Sequence, residues 1–367
     1  MFSPYVLILG WVGIVAIVTS RVQFQRLETV CGTKEPRYPW LFAFLVFLPV
    51  IWMAGNRTIY VGDTYAYRKG FMEMPSSFSE IPAYMQEITK DKGFYFFGAV
   101  LKQFIGPNAI LYTIILAAIQ GIILVSVYRK YSYNYVLSIF LFLASTDYIS
   151  WMYNGIRQFM AVVIVFAATS LMLKKKYIPL LVTILLASTF HQTALLMIPF
   201  VLIAQGKAWN KRTVIFIFLA ILAVTFVDQF TSFLDDSLSG TQYKNVVSDF
   251  TEWNDDGTNP LRVFVYSVPA LLAFWGRKQI RREGNRLVNF CANMSIISMG
   301  LYLVSMVTSG IFLGRLPIYC SLYGYILLPW EIQHLFDSRS KSAVYAGMIG
   351  AYLFFYYYQM HVTFGMF

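Results

Sequence analysis

Residues 154–196 read NGIRQFMAVVIVFAATSLMLKKKYIPLLVTILLASTFHQTALL. The apolar runs 158–173 and 177–189 flank the triplet Lys174–Lys176, and a further run spans 192–206. Apolar runs broken by short basic clusters are the mark of membrane helices turning at charged loops. About 16 residues separate Arg157 from Lys174, or ~24 Å of helix, against a hydrocarbon layer of ~30 Å. The Arg157 guanidinium is therefore expected at or just within the membrane boundary opposite the lysines. The 177–189 run rises only ~20 Å as a helix. It and the 192–206 run are thus expected to form a tight pair of short or tilted helices joined at STFHQT. Non-helical backbone at that depth is tolerated only where protein or water surrounds it, which puts His191 on the wall of a cavity.

The rest of the chain repeats this pattern. Of 367 residues, 58% are hydrophobic and 13% charged, with a mean hydropathy of +0.58; soluble domains carry roughly 25% charged residues. Further apolar runs fall near 4–20, 38–55, 108–128, 133–149, 213–230, 261–276, 287–308, 316–335 and 342–360. The expected architecture is all-α and polytopic, with about 12 transmembrane helices, some short or tilted. No repeat divides it, so 1–367 is read as a single membrane domain.

The net charge of +11 does not point to nucleic acid, because the basic residues cluster as YRK, LKKKY, NKR and GRKQIRREGNR between apolar runs. With the N-terminus outside, these clusters share the cytoplasmic side. The first run, without a basic leader or small-residue cleavage site, reads as a retained span. Two long segments then lie outside, about 56–107 and 231–260. In the first, Phe97, Val100, Leu101, Phe104 and Ile105 recur at helical spacing, which predicts an interfacial helix. The second, acidic and rich in turn formers, reads as an ordered lid or a disordered connector. Cys31, Cys291 and Cys320 show no metal or redox spacing and are expected to pack as small hydrophobes.

Arginine at the outer boundary is costly unless paired and marks a functional site by default. Arg157, Arg315 in GRLPIY and Arg68 in the first outer segment all fall at that level. Planar guanidinium groups bind phosphate oxygens two at a time, so converging arginines suit a diphosphate and its departure as a leaving group. For each arginine the alternative is snorkelling to lipid phosphate. His191 has the range of a general base or a hydrogen-bond donor; its alternative is a purely structural role. In IYVGDTYAYRKGF, residues 59–71, Asp63 and Tyr67 are four apart, as are Thr64 and Arg68, so each pair shares a helix face. Asp63 could pair with an arginine, bind sugar hydroxyls or take a proton, or lie in an ordinary solvated loop. Tyr65, Tyr67, Trp151 and Tyr153 are candidates for stacking on sugar rings, and Asp147 is a weaker candidate site acid. The middle of the membrane looks empty of ionisable groups, with Gln120, Asn289 and Asn293 suited to interhelical hydrogen bonds. No motif suggests a metal, a nucleotide or another cofactor.

Four pieces in order, GDTYAYRKGF, DKGFYFFGAVLKQFIG, the 154–196 stretch and GRLPIY, resemble the EpsG-type family of Wzy-like polysaccharide polymerases. The resemblance implies a bacterial inner-membrane enzyme of exopolysaccharide, capsule, O-antigen or biofilm polymer synthesis, similar to C-type glycosyltransferases. It implies transfer of a growing glycan from polyprenyl diphosphate to the next lipid-linked repeat unit at the outer leaflet, without metal or nucleotide. The substrate would be a polyprenyl-diphosphate-linked oligosaccharide within membrane lipid, with a chain-length regulator or flippase as protein partners. Carried over by motif, His191, Asp63 and Arg157 are the expected catalytic residues. Arg68, Arg157, Arg315, Tyr67 and Tyr319 are the expected diphosphate and glycan contacts. Position 91 is aspartate where the family pattern has a glutamate before the aromatic run. Two alternatives share much of this chemistry: a flippase or exporter of lipid-linked oligosaccharide, and an O-antigen-ligase-like transferase.

Overall fold

The computed structural model describes residues 3–22, 25–238 and 257–366. Their helices fall on every predicted apolar run, because in lipid only a helix satisfies its own backbone groups. Helix length bears on the number of spans. Three helices, Pro4–Arg21, Ala109–Tyr131 and Arg286–Met306, are long and apolar enough to cross a membrane, and two sharply bent pairs raise the number to five. The other apolar helices, such as Tyr177–Phe190, are shorter; 14 residues rise only ~21 Å. Among the described residues helix length alone supports three to five spans, and the expected count of about 12 would rest on the shorter apolar helices.

The described chain divides into two compact units, residues 1–197 with 338–367 and residues 198–337. In the first, α1 (Pro4–Arg21) leads to an antiparallel hairpin of β1 (Arg26–Val30) and β2 (Thr33–Arg37). This hairpin departs from the all-α expectation. Its turn holds Cys31 at φ 53° and Gly32 at φ 95°, the two positive values that a tight two-residue hairpin turn requires. Cys31 is therefore exposed at the tip rather than packed, whereas Cys291 and Cys320 are buried as expected.

There follow α2 (Trp40–Asn56), α3 (Thr64–Glu73), α4 (Ile81–Glu87) and α5 (Lys92–Ile105). Then come α6 (Ala109–Tyr131), α7 (Tyr135–Ala144), α8 (Ile156–Ala167), α9 (Thr169–Leu173) and α10 (Tyr177–Phe190). Asn108 and Asn134 cap α6 and α7 through the amides of Leu111 (3.0 Å) and Leu137 (3.1 Å). The hairpin is fastened to the end of α6: Arg37 Nε donates to Lys130 O (2.8 Å), Arg129 Nε to Tyr38 O (2.6 Å), and Arg129 pairs with Glu28. Helix α5 forms where its apolar spacing predicts. It buries Phe94, Ala99 and Lys102 and leaves Phe96 and Phe104 exposed. Lys102 Nζ donates to Met72 O (2.7 Å) and to Met74 O, which ties α5 to the end of α3. Phe71, Met74, Phe94, Tyr112, Leu116, Ile156 and Met160 form the core beneath. Phe71 stacks on Tyr112 at 4.2 Å.

Between α7 and α8 the chain bends by 72° at residues 145–147, where Thr146 has φ 60°, and continues as a π-helical turn over Tyr148–Asn154. The Tyr148 and Tyr356 hydroxyls are 3.2 Å apart, and Tyr356 Oη donates to Tyr5 O (3.0 Å), so this turn is tied to both the first and the last helix.

In the second unit, Arg286–Met306 is the central and most deeply buried helix, packed on Lys211–Thr225 and Pro260–Trp275. Its amides, expected to bond between helices, mainly hold the loop at 205–210 and the end of the Met197–Ala204 helix. Asn289 Oδ1 accepts from Ala208 N (2.6 Å), and Asn293 accepts from Trp209 N (3.1 Å) and donates to Ala204 O (2.9 Å). Of the predicted 231–260 loop, residues up to Leu238 continue a helix from Val227, and 239–256 lie outside the described residues.

Candidate active site

The first unit holds five of the seven predicted site residues, and it brings Tyr67 and the His191 turn towards the end of α8 that Arg157 opens. Helix α8 starts at Ile156, directly after the π-helical turn. Arg157 Nη1 donates to Asp91 Oδ2 at 2.8 Å, an ion pair between residues 66 apart in sequence. Its guanidinium carbon lies 5.9 Å from the centre of the Tyr95 ring, and the group acts electrostatically on the Tyr67 phenol. Tyr67 meets Phe94 edge-on at 5.9 Å. Asp91 is buried, has left-handed backbone (φ 51°, ψ 40°) at the start of α5, and its Oδ1 has no partner. Burial raises its carboxyl pKa, and Arg157 and Lys90 recover only part of that shift. Burial likewise raises the Tyr67 phenol, against the pull of Arg157.

The His191 turn belongs to the same neighbourhood. Helix α10 ends at Phe190, and His191 is extended (φ −161°) before a 3₁₀ turn over Gln192–Leu196, as the short helix pair predicts. His191 is half-buried, with Nδ1 2.7 Å from Thr193 Oγ1. Phe190 packs on the core beneath Tyr67 and Tyr95 and faces Phe97 at 6.3 Å. A Cβ on Gly93 would stand 2.1 Å from Thr189 Oγ1, so only glycine lets α5 approach the end of α10 this closely.

Asp63 is exposed at the start of α3 and forms no ion pair with an arginine among the described residues, which leaves its other expected roles open; its backbone amide donates to Asn154 Oδ1 (3.2 Å). Arg68 donates through Nη2 to Gly55 O (3.1 Å), Arg57 O (3.0 Å) and Thr113 Oγ1 (3.3 Å). Arg57, which sequence reasoning passed over, is buried next to it. Its Nε donates to Thr64 Oγ1 (2.7 Å) and its Nη1 to Ala54 O. Tyr65 is exposed, but Trp151 and Tyr153 are buried, which removes them as sugar-stacking surfaces. Tyr153 lies under Arg57, 5.1 Å from ring centre to guanidinium carbon. Asp147 is fully buried at the bend.

Arg315 and Tyr319 belong to the second unit, Arg315 exposed and Tyr319 buried. That unit also holds an acid that sequence reasoning did not single out. Glu331 in the Gly324–Leu335 helix is fully buried and neither carboxyl oxygen has a partner among the described residues. A single acid inside the 316–335 apolar run was the available signal. A cleft of 560 Å³ lined by Leu9, Val12, Phe140 and Leu353 lies elsewhere in the first unit and contains none of the site residues.

Fold and site together define a helical membrane protein with a cluster of arginine, carboxylate and tyrosine groups where helices end. The chain belongs to the EpsG family, whose model matches residues 40–366; this is a family of Wzy-like polysaccharide polymerases. No curated protein and no solved structure matches it.

Proposed function

We propose that the protein is a glycan polymerase that joins polyprenyl-diphosphate-linked oligosaccharide repeat units at the outer leaflet of a bacterial cytoplasmic membrane, with its N-terminus outside. The observation that carries this reading is the Arg157–Asp91 pair, set among Tyr67, Tyr95 and the His191 turn in a chain of this family. A buried carboxylate with raised proton affinity, held in place by a cation, suits a general base. Asp91 therefore takes the role first expected of Asp63 or His191.

In the proposed reaction Asp91 accepts the proton of an acceptor sugar hydroxyl. The hydroxyl oxygen bonds to the anomeric carbon of the donor glycan while that carbon's bond to the diphosphate oxygen breaks. The lipid diphosphate leaves with the bonding electrons, its charge met by arginine rather than by a metal. Arg157 fixes the carboxylate, and the half-buried His191 offers hydrogen bonding to the sugar. The purified protein, supplied with one lipid-diphosphate repeat unit and neither metal nor nucleotide sugar, should yield a ladder of polymers. Loss of the ladder in Asp91→Asn and Arg157→Ala is expected; a ladder unchanged in both variants would refute the assignment.

A further inference from the structure

Arg57 and Arg68 stand side by side where α2 ends and α3 begins, and neither has a carboxylate within ion-pair distance among the described residues. Arg57 is only 6% exposed, yet its Nη2 has no hydrogen-bond partner; the Nε of half-buried Arg68 has none either. The protein groups that do meet them are uncharged: the carbonyls of Ala54, Gly55 and Arg57 and the hydroxyls of Thr64 and Thr113. The end of a helix presents about half an elementary negative charge, against two full positive ones. Burying a cation without a counter-charge is expensive. Burial pushes Arg57 down to about 10, and the neighbouring Arg68 adds to this against the opposing effect of Tyr153. The start of α3 adds further donors, because Asp63 at its cap position makes no side-chain capping bond to the first turn.

We infer that Arg57 and Arg68 form an anion seat that takes the diphosphate of the polyprenyl carrier, separate in role from the Arg157–Asp91 pair. The inference rests on the polymerase reading for the identity of the lipid, and on the geometry alone for the anion. Arg157 already has its counter-ion; the charge-deficient place in this unit is at Arg57 and Arg68. Two adjacent planar forks, each with one enclosed donor nitrogen that no described protein group meets, suit a group with several phosphoryl oxygens better than a single carboxylate. Arg68, the more exposed of the two, meets the diphosphate first, and Arg57 lies behind it.

Binding to protein in nanodiscs tests this, with polyprenyl diphosphate, polyprenyl monophosphate and inorganic pyrophosphate as separate probes and phosphatidylglycerol as competitor. Polyprenyl diphosphate should bind best. Arg57→Gln and Arg68→Gln should each weaken it by roughly tenfold or more, the loss of one charge-assisted contact. Asp91→Asn should leave this binding within about twofold while polymerisation is lost. Thr64→Val removes the structural bond to Arg57 and keeps the charge, and Arg57→Lys keeps the charge without the fork. Thr64→Val should unfold below the wild-type temperature, because Arg57 Nε then lacks its acceptor, and both variants, assayed while folded, should bind better than Arg57→Gln. The inference is overturned if Thr64→Val loses as much affinity as Arg57→Gln, if folded glutamine variants bind as wild type does, or if phosphatidylglycerol competes equally well. A wild-type protein that forms no ladder but binds the lipid diphosphate through Arg57 would refute the polymerase reading and leave the seat standing. A ladder unaffected by Arg57→Gln and Arg68→Gln would do the reverse.

Discussion

Two arginine pairings lie in the same unit, and they meet their charge in opposite ways. Arg157 is matched by Asp91, brought from the start of α5. Arg57 and Arg68 are matched by helix-end carbonyls and hydroxyls, with nitrogens left over. The first arrangement is nearly neutral and fixes a carboxylate in one orientation. The second carries surplus positive charge and has the character of a receptor. On the proposed reading, the contrast would separate two tasks of a lipid-linked glycosyl transfer, proton removal from the acceptor and capture of the leaving group.

The largest effect that could break this division is on rate. Asp91→Asn keeps the shape of the side chain and removes its basicity. On the proposed reading polymerisation should fall by about 10²–10⁴-fold, read as ladder formation at saturating lipid-linked repeat. Wild-type ladders from this variant would take away the base and leave Asp91 as a structural anchor for α5.

Next comes stability, where the two pairings should respond differently. Arg157→Ala strands a buried carboxylate beside Tyr67 and Tyr95. Breaking a fully buried pair costs about 3–5 kcal/mol. Because the Arg157 side chain is 35% exposed, roughly 2 kcal/mol is the expected loss. The double variant Arg157→Ala/Asp91→Asn should recover more than half of it, since no unpaired charge remains. Thermal unfolding in one detergent measures both, and a double variant that loses the sum of the two single losses would show that no charge was stranded.

A comparable but purely local effect is expected at Gly62. It has φ +56°, and a Cβ there would stand 1.7 Å from Asn154 Oδ1, the atom that accepts from Asp63 N. Gly62→Ala should cost about 1–2 kcal/mol through strain and the lost clip. It should weaken diphosphate capture more than it alters Asp91, because the loop it distorts carries α3 and Thr64. Equal damage to both would merge the two pairings into one structural unit.

Much of this was legible in the sequence. The apolar runs located the apolar helices, though not α3 or α4, and the break between the lysines and His191 located the α10 turn, because hydropathy and helix rise are local properties. The fate of each charge was not local. Asp63 and Asp91 look alike in sequence, but only the fold brings Asp91 within reach of Arg157, across 66 residues. Arg57 was passed over because it directly follows an apolar run, where an arginine commonly snorkels. Its burial depends on Tyr153 and Thr64 closing over it. Helix lengths misled in the other direction. The 133–149 run reads as one span but is broken at Thr146, whose positive φ no hydropathy pattern announces.

The smallest effect, and the sharpest discriminator, is the dependence on pH. Burial raises the Asp91 carboxyl despite Arg157 and Lys90, so the acid limb of the polymerisation rate should lie above the usual carboxylate value of about 3.9. Rate should rise with pH through that limb as the base loses its proton. Stability should move the other way. A carboxyl raised on folding favours the protonated folded state, so its contribution is complete below the unfolded pKa and is lost as pH rises through the folded one. Unfolding temperature measured across that window should therefore fall as activity climbs, and Asp91→Asn should flatten the stability trend. Diphosphate capture should show no such protein limb, because Arg57 keeps its proton until the pH approaches the value of about 10 to which burial pushes it. Rate and lipid-diphosphate affinity that titrate together would place both tasks on one group and erase the distinction between the pairings.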